Sequence, residues 1–113
     1  MNFFKTPGLV KRLFPSLLWE MPEQSSKTIY LTFDDGPVPD VTPFVLETLS
    51  TYGAQASFFC VGQNVERYPH IFQQLELAGH RTGNHTYHHL NGWKTTTTDY
   101  LQDVGKCDQV MQQ

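Results

Sequence analysis

Two short stretches carry side chains that could do hydrolytic chemistry. The first is Thr32-Phe33-Asp34-Asp35-Gly36-Pro37. Adjacent carboxylates repel and lose solvation when buried, so the pair is stable where a cation, protons or several hydrogen bonds offset that cost. A solvated turn is the alternative, since Asp and Gly are common turn residues. The second stretch is Gly83-Asn84-His85-Thr86-Tyr87-His88-His89, which holds three of the five histidines. Neutral imidazoles at i, i+3 or i+4 can present two nitrogens to one ion, which allows His85 with His88 or His85 with His89. An exposed histidine cluster without an ion is the alternative here. One carboxylate added to two imidazoles leaves coordination positions open, as metal-assisted hydrolysis requires.

These groups must be positioned by the elements between and around them. Thr28-Ile29-Tyr30-Leu31 are strand-type residues, and the run to Phe33 shows little polar alternation. It predicts a strand over 28–33, buried on both faces and ended by the double Asp. Thr42 as N-cap, Pro43 at the first helical position, Val45, Leu46 and Leu49 at helical spacing and Gly53 as a left-handed stop predict a helix. A second strand follows over 56–61 and stops at Gly62. Pro69, Ile71, Phe72, Leu75 and Gly79 predict a second helix ending near Ala78. Alternation of units places a third strand at 80–84. The run Thr95 to Thr98 then leads into a third helix, with Leu101, Val104, Cys107 and Met111 on one face and Asp99 in its first turn. Strand and helix alternating three times predict parallel right-handed crossovers and an α/β fold. Ligands of such folds gather where strand C-termini meet their loops, and both chemical stretches lie there.

Composition narrows the function classes. With 113 residues, 39% hydrophobic, a net charge of -3 and a pI near 5.9, the chain has no general attraction to nucleic acid. Small neutral or sugar-like ligands remain. Cys60 and Cys107 have no metal-type spacing and read as buried free thiols. His70 and His80, in or beside the second helix, read as surface or packing residues. Residues 1–26 form an N-terminal arm, closed by Pro22 and the run Glu23-Gln24-Ser25-Ser26, and residues 27–113 form the ordered domain. In the arm, Lys5, Lys11 and Arg12 are mixed with Phe3, Phe4, Leu9, Val10, Leu13, Phe14, Leu17, Leu18 and Trp19. Lys11, Arg12 and Pro15 interrupt any signal-peptide core, and the segment is too short and charged to span a bilayer. An arm packed against the domain is expected, with membrane-surface contact by residues 3–19 as the alternative. Oligomeric state and compartment, cytoplasmic or envelope-associated, stay open.

Thr32-Phe33-Asp34-Asp35-Gly36-Pro37, followed about fifty residues later by His85-Thr86-Tyr87-His88-His89, resembles the first two motifs of the polysaccharide deacetylases with a NodB-homology domain, carbohydrate esterase family 4. The resemblance covers residues 27–113. It implies a distorted (β/α) barrel about twice this length, of which this chain holds the N-terminal part and about three strand-helix units. It also implies removal of N-acetyl groups from amino-sugar residues of a polysaccharide. By the same resemblance Asp34 is the general base and Asp35 a metal ligand. The family's His-Ser/Thr-x-x-His pattern selects His85 and His89 as the other ligands. The implied ion is divalent, usually Zn2+, with Co2+ or another possible.

The family's later Arg-Pro-Pro-Tyr-like, Asp-Trp-containing and Leu-x-His segments do not occur here, and the expectation is an incomplete domain, inactive as this chain. Such an open half barrel would expose apolar faces and an unpaired strand edge. A small non-sugar amide as substrate, or a carbohydrate- or metal-binding fragment without turnover, are the other readings. Which glycan is used is not set by the sequence.

Overall fold

Short apolar runs separated by amphipathic stretches fold into a parallel sheet with helices between its strands. The computed structural model describes residues 5–21 and 27–113. In chain order the elements are α1 (Gly8–Leu13), β1 (Thr32–Gly36), α2 (Val41–Thr51), β2 (Ser57–Cys60), α3 (Gly62–Arg67), α4 (Pro69–Leu77), β3 (Arg81–Asn84) and α5 (Thr97–Met111). The sheet runs β1-β2-β3 with both pairs parallel, so the α/β expectation holds. All three strand C-termini therefore end at one edge, where Asp34, Asp35 and His85 fall. Phe58 and Cys60 from β2 form the core with Leu49, Ala56, Val65, Phe72 and Leu75, and Phe33 stacks on Phe58.

Helix ends follow backbone chemistry that was visible in the sequence. Gly53 and Gly79 take φ of 58° and 78°, which a residue without Cβ adopts at little cost. After each, the next N–H reaches back five residues, Ala54 to the Leu49 carbonyl and His80 to the Leu75 carbonyl. These are Schellman closures. At α5 the Thr96 hydroxyl accepts from the Asp99 N–H at 3.2 Å and donates to its carboxylate at 2.7 Å, tying the cap at both ends.

Four expectations are corrected. The first strand begins at Thr32 and runs through both aspartates, while Ile29, Tyr30 and Leu31 lie ahead of it and are exposed. β1 is the edge of the sheet, so it is covered only where β2 and α2 face it. The α2 N-cap is Asp40, and Thr42 sits inside the first turn, where its hydroxyl accepts from the Val38 N–H at 2.9 Å. A short helix, α3, follows β2 directly, where the sequence pattern assigns no element between Gly62 and Pro69. On α5 the buried face is Asp103 and Cys107, with Val104, Val110 and Met111 partly covered, and Leu101 is 63% exposed.

The arm does not pack as expected. Helix α1 buries no residue, and Leu9, Leu13, Phe14, Leu17 and Leu18 are exposed. The segment closes on itself instead, through Lys11 with Glu20 and the Trp19 indole N–H donating to the Phe14 carbonyl at 2.8 Å. Phe3, Phe4 and the closing run 22–26 lie outside the described residues. Among the described residues no helix is long and apolar enough to cross a membrane.

The cysteines and the isolated histidines behave as packing groups. Cys60 and Cys107 are free and buried, and burial pushes the Cys60 thiol up to about 12, so it is not a nucleophile at neutral pH. His80 is buried, accepts from the Ala56 N–H at 3.3 Å, and is held below its ordinary value by burial. His70 lies exposed on α4.

Helices α3 and α5 meet the loop after β3 at very close range. A Cβ at Gly62 would stand 2.6 Å from the Tyr87 ring and 3.0 Å and 3.2 Å from the Tyr87 and Cys107 Cα atoms. From α5, the buried Asp103 accepts from the Tyr87 N–H at 2.7 Å, the His88 N–H at 2.9 Å and the His88 ring. Burial pushes its pKa up, yet these hydrogen bonds outweigh burial and leave the carboxyl below its ordinary value.

Two outcomes follow from these contacts. Gly62→Ala is expected to destabilise the chain by about 1–3 kcal/mol, since two of the three obstructions are backbone, and the urea midpoint reads it. A carboxyl with a lowered native pKa stabilises fully above its unfolded value and loses that contribution as pH falls through the native value. Asp103→Asn should therefore melt lower than the wild type at pH 7, and the gap in Tm should shrink below about pH 4. A gap constant with pH would show that the charge is not what matters.

Candidate metal centre

The first half of the site is made by an irregularity in β1. In the ladder Asp34 pairs with Phe59 and Gly36 with Cys60, so Asp35 is extruded as a bulge with φ of 69°. That left-handed backbone costs a non-glycine residue about 1–2 kcal/mol and has to be held by its surroundings. Two bonds hold it. The Asn64 side-chain amide donates to the Asp35 carbonyl at 2.8 Å, and the Val61 N–H donates to the Gly36 carbonyl at 2.9 Å.

The second half follows β3. The His85 N–H donates to the Cys60 carbonyl at 2.9 Å, which fixes the loop's first residue to the end of β2. Thr86 then turns at φ of 62°, its N–H donating to the Asn84 side chain and its hydroxyl accepting from the Leu90 N–H. The N–H groups of Gly62 and Gln63 donate to the Thr86 and Tyr87 carbonyls, each at 3.0 Å. His89 also has positive φ, at 56°.

These constraints bring Asp35, His85 and His89 together. The Asp35 Oδ1 lies 3.2 Å from the His85 Nε2 and 3.1 Å from the His89 Nε2, and the three donor atoms lie within 4.8 Å of one another. Bonds of about 2.0–2.1 Å to one ion put neighbouring donors about 2.9 Å apart at right angles and about 3.4 Å apart at the tetrahedral angle. The two carboxylate-to-imidazole separations fall in that range. The side chains of Asp35, His85 and His89 are 68%, 33% and 59% exposed, so the cluster opens to solvent. His88 stands apart with its ring on Asp103. Asp34 stays in the ladder beside the cluster, exposed, and its carboxylate makes no ion pair or hydrogen bond among the described residues.

The supporting residues Asn64 and Asp103 were not singled out from sequence. Asp103 left a trace, being a carboxylate four residues before Cys107 on the buried face of α5. Asn64 left none, since only its place in the fold brings it to Asp35.

The polysaccharide deacetylase family profile matches residues 22–113. A peptidoglycan-N-acetylglucosamine deacetylase of Bacillus cereus is 46% identical over 98 residues, covering 85% of this chain and 46% of that protein. A chitooligosaccharide deacetylase of Azorhizobium caulinodans is 50% identical over 68 residues, covering 60% of this chain and 32% of that protein. Among solved structures, a peptidoglycan deacetylase from Bacillus subtilis superposes with a TM-score of 0.75 at 31% identity, over 78% of this chain and 44% of that one. A family 4 acetyl xylan esterase from Clostridium thermocellum, solved with a cobalt ion, gives 0.66 at 33% identity, over 74% and 41%. The chain thus spans less than half the length of these relatives. With its profile match running from residue 22 to the last residue, the chain belongs to the polysaccharide deacetylase family.

Proposed function

We propose that this chain carries the metal-binding part of a deacetylase that hydrolyses N-acetyl groups on amino sugars of a glycan. The observation that carries this reading is the convergence of Asp35, His85 and His89 at one sheet edge, with the Asp34 carboxylate, unpaired among the described residues, beside them. The separations within the cluster also suit imidazole N–H to carboxylate hydrogen bonds. The cobalt ion bound by the Clostridium thermocellum relative favours an ion over such bonds.

In this reading Asp35, His85 and His89 hold a divalent ion, Zn2+ first, with Co2+ or another divalent ion also suited to mixed oxygen and imidazole donors. A divalent ion there acidifies water and polarises the acetamide carbonyl. Asp34, whose carboxylate has no partner among the described residues, takes the proton from the attacking water. His88 is left out of the ligand set because its ring lies on Asp103 and it is not among the three converging donors. Within these 113 residues no side chain is assigned to stabilise the oxyanion or to protonate the leaving amine.

Zinc calorimetry separates the histidines. His89→Ala should weaken binding by more than about 100-fold, beyond the 10–100-fold typical of supporting residues, and His88→Ala by about 10-fold or less. Equal losses would overturn the ligand assignment. The reaction is tested in a chimera in which these residues replace the matching segment of the Bacillus cereus deacetylase. Zinc-dependent acetate release from N-acetylated chito-oligosaccharides is expected, abolished by Asp34→Asn with zinc binding retained. A folded, zinc-loaded chimera without release, or one acting only on small amides, would overturn the glycan reading. The 113-residue chain alone should bind zinc and release little acetate.

A further inference from the structure

Asp35 and the histidine loop come from strands that do not touch each other, because β2 lies between β1 and β3. Their separation is therefore set by whatever connects both to the end of β2. That connector is the first turn of α3. Gly62 and Gln63 donate their N–H groups to the Thr86 and Tyr87 carbonyls, and the next residue, Asn64, donates its side-chain amide to the Asp35 carbonyl.

We infer that Asn64 is a positioning residue for the metal ligand Asp35, which it holds in the bulged, left-handed backbone that aims its carboxylate at His85 and His89. The inference rests on the proposed metal site. The Asp35 carbonyl is out of the ladder, and a bulge left to itself would relax toward extended backbone. A one-residue slip in β1 would exchange the faces of Asp34 and Asp35. Asn64 blocks that slip because its amide is rooted in α3, whose neighbours hold the histidine loop. Among the described residues its side chain reaches the Asp35 carbonyl, with no hydrogen bond to the donor atoms.

The test is zinc affinity of the 113-residue chain by calorimetry, with the metal-free fold followed by circular dichroism. Asn64→Ala removes the amide, and Asn64→Leu removes it while keeping the volume, so one variant remains informative if the other misfolds. Each should bind zinc about 10-fold or more weakly. Asp35→Ala supplies the second background. If Asn64 acts through Asp35, adding Asn64→Leu to Asp35→Ala should change the residual zinc affinity by less than about 2-fold. Equal losses in both backgrounds would show a general structural effect and overturn the inference, as would unchanged affinity in the single variants. Absence of zinc binding by the wild-type chain would instead overturn the metal-site reading on which it rests.

Discussion

No side chain fits at Gly62, and the arrangement of the site depends on that close approach. Its absent Cβ lets the start of α3 lie against the Tyr87 backbone and against α5 at Cys107. From that contact the hydrogen bonds spread in both directions. Val61 reaches the Gly36 carbonyl in β1, Cys60 receives both the His85 N–H and the Cys107 thiol, and Gly62 and Gln63 reach the loop after β3. The C-terminal end of the central strand is thus the common reference for both halves of the cluster. A parallel sheet supplies the convergence of strand ends, and the glycine sets how tightly the loops are drawn in.

The same loops hold the backbone strain. Asp35, Thr86 and His89 all have positive φ, and each conformation costs about 1–2 kcal/mol for a residue with a Cβ. Each of these turns is bracketed by hydrogen bonds, from Asn64 at Asp35, from Asn84 and Leu90 at Thr86, and from Asp103 at Tyr87 and His88 just before His89. Net contributions near 1 kcal/mol per bond, more where a carboxylate accepts, are enough to offset that strain locally. Preorganisation here comes from polar side chains reaching backbone groups, because the donor side chains themselves are too exposed to be fixed by packing.

What the sequence disclosed and what it hid divide along a physical line. Local chemistry was legible. Gly53 and Gly79 ended helices because only a residue without Cβ adopts that backbone freely, and the apolar runs at 56–61 and 69–75 marked β2 and α4. Order alone gave the parallel sheet and so put the carboxylates and the imidazoles at one edge. The bulge was hidden, since Asp34-Asp35 reads as a strand end when the carboxylates are assumed to leave the ladder. Helix α3 was hidden because Gly62 looked like a stop and a six-residue helix with one large buried residue, Val65, has no period. Spacing left His88 and His89 equivalent. In the structure the distinction lies in Asp103, which is far away in sequence and binds the His88 ring.

The outer edge of β1 bears on how far the site can stand by itself. Leu31, Phe33, Phe44, Val45 and Tyr52 line an apolar cleft of about 390 Å³ beside that edge, and Ile29 and Tyr30 lie exposed ahead of β1. An unpaired edge with apolar flanks is the least protected part of a sheet, and relatives nearly twice as long have further chain with which to cover theirs. Asp35 nonetheless takes its restraints from the inner side, through β2 and α3, and among the described residues none of its hydrogen bonds or ion pairs crosses the open edge. Fraying of β1 from its free side would therefore reach Thr32 and Phe33 before it reached the cluster. Donor geometry and edge protection are separable properties of this chain.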